Sequence, residues 1–175
     1  MDVEPNLIHR LFYPQVPLVL SATHGGRASA MPVVSYALVS SDPPIVAASC
    51  ASSSYTCKLV VRSRAFSLSV LGRSRKRSME LLASSSGSEV RDKLKAAGIR
   101  HVEGRVLEVP VVVGAQATLE CSLRSSRRVG DHVLLLGEVK ASYATAAFTD
   151  KWDFRRYKPV LYTGWRGGMT TYPED

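Results

Sequence analysis

Ser52, Ser53, Ser54, Thr56 and Lys58 fall within a single run, "ASSSYTCKLV". Several hydroxyls and an ammonium at a helix start, where the first backbone N–H groups have no helical partner, make an anion site. Phosphate is its natural occupant. The same residues also suit a plain capped helix with an exposed lysine, and spacing alone does not choose between the two. Immediately upstream, Ala47, Ala48, Ser49, Cys50 and Ala51 are nearly all small. Small side chains leave main-chain donors open to a planar heterocycle with carbonyl and ring-nitrogen acceptors; a tightly packed sheet corner is the alternative. A flat platform followed directly by a phosphate cradle implies a mononucleotide-like ligand.

The elements that must position these residues are mostly strands. Pro43 and Pro44, in "SSDPPIVAASC", fix their own φ angles and make a rigid corner that sets "MPVVSY" beside "AASCASSSYT". Strand patterns cover residues 16–23, 29–39, 45–50, 65–71, 105–109, 115–123, 132–143 and 159–164, with a glycine hairpin signal at residues 24–28. In residues 65–71, Phe66, Leu68 and Val70 share one face and Ser67 and Ser69 the other. Pro32 belongs at a strand edge or bulge. Helices are expected from near Ser54 or Thr56 to residue 64, over residues 74–85, and from a Ser86/Glu89 capping box through an apolar face of Val90, Leu94 and Ala97 to Gly98. Many strands and few helices predict one domain over residues 1–175, mainly β: a β-barrel with short helical insertions.

Bulk properties exclude several classes. At 175 residues, 45% hydrophobic and 22% charged, the chain reads as a soluble globular domain. It has no apolar run near the roughly 18 residues that a membrane span needs. Its acidic, proline-containing start is unlike a secretory signal, so a cytoplasmic location is expected. Cys50, Cys57 and Cys121 lack metal-ligand spacing and fit reduced thiols; no zinc site is read. The net charge of +8 draws on Arg62, Arg64, Arg73, Arg75, Lys76, Arg77, Arg124, Arg127 and Arg128. These suit a solvated basic face first and attraction of anionic cofactors second. Nucleic acid comes last, because only Phe66 interleaves the first cluster. There is no G-x-G-x-x-G fingerprint and no convincing Ser/His/Asp triad.

The order of segments resembles the flavin reductase-like family, whose fold is an FMN-binding split β-barrel of Greek-key type. The resemblance rests on "FYPQVPLVLSAT", "SAMPVVSYALVSSDPPIVAASC", "SSSYTCKLVVRSRAFSLSVL", "DKLKAAGI", "VPVVVGAQATLECSL" and "GDHVLLLGEV", from about residue 12 to residue 139. It implies a homodimer with FMN in a groove near the subunit interface. By position, Met31, Pro32, Val33, Val34, Ser35, Ser49, Cys50 and Ala51 would line the ring, while Ser54, Thr56 and Lys58 would hold the phosphate. His132 in "GDH" matches a histidine near flavin or nicotinamide in several members; a solvated strand-start histidine is the alternative. Cys121 reads as a core residue. Tyr162, Trp165 and Tyr172 read as interface aromatics first, with a cover over the ring as the alternative. The implied activity is an NAD(P)H-dependent flavin reductase that passes electrons to free flavin, iron or a redox partner protein, with FAD also possible as substrate and NADH or NADPH as donor. Arg73, Arg75 and Arg77 would meet the donor's phosphates. The alternatives are a flavoredoxin-like electron carrier without NAD(P)H oxidation and, more remotely, a nucleic-acid-binding barrel. The chain departs from the family at Ala30, Pro32 and Val33, where many members carry polar side chains.

Overall fold

The computed structural model describes residues 2–164 and 168–172. Its elements, in chain order, are β1 (Leu18–His24), β2 (Arg27–Val33), β3 (Tyr36–Ser41), β4 (Pro44–Ala51), α1 (Tyr55–Ser63) and β5 (Ala65–Val70). A 3₁₀ turn then leads into α2 (Lys76–Ser84), α3 (Lys93–Ala96), β6 (His101–Glu103), β7 (Pro110–Val112), β8 (Ala117–Val129), β9 (His132–Ala144), β10 (Val160–Tyr162) and β11 (Met169–Thr171).

One connection dictates the architecture. β2 and β3 lie at opposite edges of a seven-stranded antiparallel sheet, ordered β2-β1-β5-β8-β9-β4-β3. Only Val34 and Ser35 join them. Three Cα steps reach at most about 11 Å, so the edges must come together and the sheet curls into a barrel with its split between them. Residues 29–39 are therefore two strands, not the single strand their pattern suggested. Pro32 sits on edge strand β2, opposite Val19, where a missing N–H breaks no central ladder. The glycine hairpin forms as read, with Gly25 and Gly26 at φ of 58° and 70°. The double-proline segment turns β3 into β4 and lays Tyr36 opposite Ala48.

Curling gives the sheet two buried faces. Inside, Leu20, Val46, Phe66, Leu68 and Leu135 surround α1, which contributes Cys57, Leu59 and Val60. Gly137 permits this packing, since a Cβ there would stand 2.4 Å from the Phe66 ring. Outside, Val19 and Ala30 are covered by Met79 and Leu82 of α2, Leu94 of α3, and Val112, Val160 and Met169. For this reason Ser67 and Ser69 are fully buried although they face away from Phe66, and the Ser67 hydroxyl donates to the Pro110 carbonyl.

Two readings from pattern are corrected. Residues 105–109 form no strand. The N–H groups of Arg105, Val106 and Leu107 instead converge on the carboxylate of Glu120, at 2.7, 3.0 and 2.9 Å, and amides so engaged cannot enter a ladder. The Ser86/Glu89 capping box also fails to form. Ser86 pairs with Ser88 at 2.7 Å, and the helix begins later, at Lys93, capped by Asp92 accepting from the Lys95 N–H at 2.9 Å. Leu94 and Ala97 are buried, and Gly98 ends the turn with φ of 70°, as read.

Glu120 yields the first prediction. Burial pushes its carboxyl pKa up, but the Val106, Arg105 and Leu107 amides and the Tyr143 hydroxyl outweigh burial and hold it below the ordinary value. A carboxyl that titrates lower in the folded chain adds stability above its unfolded pKa, and loses it as pH falls through the folded one. Glu120→Gln should therefore cost about 1–3 kcal/mol at neutral pH. It should also flatten the fall in stability below about pH 4.3, the unfolded glutamate value. Urea unfolding across pH 2–7 reads both effects.

Candidate functional site

The end of β2, the start of α1, the end of α2 and the start of α3 meet around a cavity of about 670 Å³. Its lining divides by chemistry. Tyr13, Pro17, Pro32, Val34, Tyr162 and Met169 are apolar or aromatic, whereas Ser53, Ser54, Thr56, Ser84, Ser85, Ser86 and Lys93 are polar. Tyr13 and Tyr162 meet edge to face at 4.8 Å. They are held by a reciprocal backbone pair between Gln15 and Tyr162, at 3.1 and 2.8 Å.

The polar part is a connected assembly. Ser54 caps α1 by accepting from the Cys57 N–H at 3.3 Å, and its hydroxyl donates to the Met31 sulfur at 3.0 Å. Thr56 pairs with buried Ser29 at 2.8 Å. Gly87 lies so close to Ser29 that a Cβ would sit 2.2 Å from its Oγ. Among the described residues, the N–H groups of Tyr55 and Thr56, first in α1, find no acceptor within the chain. They are the orphan donors of a helix N-terminus.

Lys93 is the decisive member. It is 4% exposed, lines the cavity, and makes no ion pair among the described residues. It is also the one charged side chain in the described lining. Burial pulls its ammonium below the ordinary lysine range. An ammonium so placed costs free energy unless an anion shares the site.

The sequence-read residues fall in three places. Met31, Pro32, Val34, Ser54 and Thr56 line the cavity. Val33 and Cys50 are buried in the inner core, where the Cys57 thiol and burial push the Cys50 thiol up. Ser35, Ser49, Ala51 and His132 lie along the β3–β4–β9 side, outside the cavity lining; Ser49 donates its N–H to the Ser35 carbonyl at 2.8 Å, and Ala51 is paired with His132. His132 Nδ1 lies 2.8 Å from Asp131, and that contact holds the Asp131 carboxyl below its usual value. Lys58 is exposed on α1 and lies outside the described cavity lining, in which Lys93 is the one lysine. The Pro43–Pro44 corner is exposed at the far end of its hairpin, so it shapes β3 and β4 without lining the pocket. Tyr162 lines the cavity, the position its ring-cover alternative calls for, while Tyr172 is exposed and Trp165 lies outside the described residues. Cys121 is a core residue as read, its thiol raised to about 12 by burial and then by Glu120.

Sequence reasoning missed Lys93, the serines at 84–86 and Tyr13. One signal was present: Lys93 belongs to "DKLKAAGI", one of the segments that carry the family resemblance.

A model described as "Flavin reductase like domain" matches residues 9–163. The chain belongs to the flavin reductase-like family. An uncharacterized protein of Aeropyrum pernix is 34% identical over 158 residues, 90% of this chain, which thus spans only 60% of that relative. An FMN-binding protein from Thermus thermophilus, solved with bound 1-cyclohex-2-enone, is similar with a TM-score of 0.82 and 29% identity, over 98% of this chain and 92% of that one. The flavoredoxin of Methanosarcina acetivorans shares the fold, with a TM-score of 0.86 at 20% identity over 100% and 92% of the two chains. The expected mainly β barrel with short helices is thus the fold of this flavin reductase-like chain. Among its described residues no helix is long and apolar enough to cross a membrane.

The cavity fits a flavin mononucleotide in kind. Its volume of about 670 Å³ lies inside the roughly 300–1,000 Å³ usual for cofactor sites. It also offers flat apolar walls together with an anion cluster. Lys93→Met should raise the stability of the ligand-free chain by about 1 kcal/mol or more, by removing a buried uncompensated charge. The unsubstituted chain should gain stability as pH rises between the folded and unfolded lysine pKa values, because there the unfolded state binds more protons; the variant should lose that gain. Inorganic phosphate should raise the melting temperature of the unsubstituted chain and leave the variant unmoved. Calorimetry at neutral and alkaline pH, with and without phosphate, tests all three.

Proposed function

We propose that this chain binds FMN in the cavity and acts as an NAD(P)H-dependent flavin reductase, passing electrons to free flavin, iron or a partner protein. The observation that carries the reading is Lys93, buried without a counter-ion beside a serine-lined helix start. Lys93, the Tyr55 and Thr56 amides and the hydroxyls of Ser54 and Ser86 hold the phosphate dianion. Met31, Pro32, Val34, Tyr13 and Tyr162 wall the ring and exclude water from it. Bound there, FMN supplies the hydride and single-electron chemistry. The lining therefore needs no acid or base of its own, and among its described residues it holds no Asp, Glu or His.

A second copy completes the assembly in this reading. Val46, Ala48, Cys50 and Leu135 point into the core. Their neighbours Ala47 and Leu136, and Ser49 and Leu134, pair on the opposite face, beside the exposed edge residue Ala37, which pairs with Ala47. A homodimer would cover that face and bring Ser35, Ser49, Ala51 and His132 to the subunit boundary. FAD is accepted as substrate, NADH or NADPH is the donor, and the reaction runs in the cytoplasm.

The test is an absorption titration. FMN should bind at least about tenfold more tightly than riboflavin, since charge-assisted contacts to the phosphate exceed 1 kcal/mol each. Anaerobic NADH or NADPH should then bleach the bound chromophore. Bleaching by neither donor assigns the electron-carrier role instead. Equal affinity for FMN and riboflavin, or binding of neither, overturns the phosphate placement.

A further inference from the structure

Arg27 opens β2 and does not line the cavity, yet it is wired to the wall that does. Its Nη2 donates to the carbonyls of Ser88 at 2.9 Å, Val90 at 3.0 Å and Gly87 at 3.5 Å. Its guanidinium lies 5.5 Å from the centroid of the Tyr55 ring, and its Nε is buried without a partner. One half-buried cation thus gathers three carbonyls of a single loop and takes no carboxylate. That is the geometry of a clamp rather than of an ion pair.

The loop it gathers is otherwise held by its own serines: Ser85 Oγ donates to the Leu81 carbonyl at 2.7 Å, and Ser86 pairs with Ser88 at 2.7 Å. Residues 85–90 belong to no helix or strand, and their side chains are small or polar apart from that of Val90. The same loop presents Ser85, Ser86 and Gly87 to the cavity. Gly87 presses on Ser29, which holds Thr56. The neighbouring backbone extends the connection: Ala28 N–H donates to the Arg91 carbonyl at 3.0 Å, and Arg91 Nε donates to the Gly26 carbonyl at 3.2 Å. Ala28 also bridges Asp92, the cap of the helix that begins with Lys93. Two adjacent residues of β2, Arg27 and Ala28, therefore set both the serine wall and the root of the buried ammonium.

We propose that Arg27 is a positioning residue that makes the cavity selective for a phosphorylated ligand, by holding the 84–87 wall closed against Ser29 and Thr56. The inference rests on the flavin reading of the cavity. Its physical basis is preorganisation. A wall fixed before binding spares the ligand the entropy of ordering it, and only a ligand whose phosphate touches that wall gains the advantage.

The experiment compares FMN and riboflavin dissociation constants for the full-length unsubstituted chain, Arg27→Met, Arg27→Lys and Gly87→Ala, with melting temperatures alongside. Arg27→Met should weaken FMN about tenfold, the loss of one charge-assisted bond's worth of order, and move riboflavin less than about twofold. Arg27→Lys, which keeps the charge and part of the donor set, should fall between. Gly87→Ala, which pushes the wall off Ser29 while leaving the Arg27 side chain in place, should reproduce the loss of preference and keeps the question answerable if Arg27→Met does not fold. An equal fall in both affinities makes Arg27 a fold residue only and overturns the inference, as does an unchanged FMN preference in Arg27→Met or, if that variant does not fold, in Gly87→Ala. An unsubstituted chain that prefers FMN while the variants do not lose the preference sinks this inference alone. An unsubstituted chain without that preference sinks the flavin reading as well.

Discussion

A lysine held at 4% exposure, with no ion pair among the described residues, is the constraint around which the candidate site is organised. Desolvating a charge is among the most expensive operations a fold performs; a lysine so placed sheds its proton more readily, or keeps its charge by gaining an anion. Everything near Lys93 points the same way. Asp92 caps the short helix that carries it but spends its carboxylate on the Lys95 amide and on His101, at 2.9 and 2.8 Å. The serines of the loop before it, and the two orphan amides of α1, converge on the same space.

The barrel exists, in effect, to bring those pieces together. α1 plugs the interior, so its N-terminus emerges where β2 ends and the chain crosses the split to β3. α2 and α3 pack on the outer face of the same strands and deliver their adjoining ends to that opening. The two-residue crossover leaves Met31, Pro32 and Val34 as the flat apolar wall, while the N- and C-terminal portions meet through Gln15 and Tyr162 to add the aromatic one. Segments far apart in sequence thereby form a single pocket with a polar and an apolar part. Because the described lining offers no carboxylate or imidazole, the site is suited to holding a redox cofactor rather than to acid–base catalysis by Asp, Glu or His.

Much of this was legible in the residues. Alternation marked β5, paired glycines marked the first hairpin, and Ser54 announced α1, because each is a local effect with a local cause. Local signals failed where a tertiary partner intervened. Residues 105–109 have strand-like composition, but Glu120, from another strand, claims their amides. Ser86 and Glu89 have capping spacing, but Arg27 holds the carbonyls of that loop and delays the helix to Lys93. The cradle at Ser54 and Thr56 was visible as a run of hydroxyls. Sequence proximity offers Lys58 as its cation, whereas the lysine that lines the cavity stands 35 residues later, where only the fold brings it near. Tyr13 and Tyr162 could not be paired from sequence at all, since only the fold sets the two ends of the chain side by side.

The most direct test follows the Lys93 ammonium itself, by NMR of ¹³Cε-labelled lysine titrated across the alkaline range. In the free protein its pKa should lie below that of an ordinary lysine. On saturation with FMN it should move upward, as a phosphate dianion restores the charge, and riboflavin should leave it where it was. A pKa that stays in place with FMN, or that moves equally with both flavins, would contradict the claim that this buried charge waits for a phosphate.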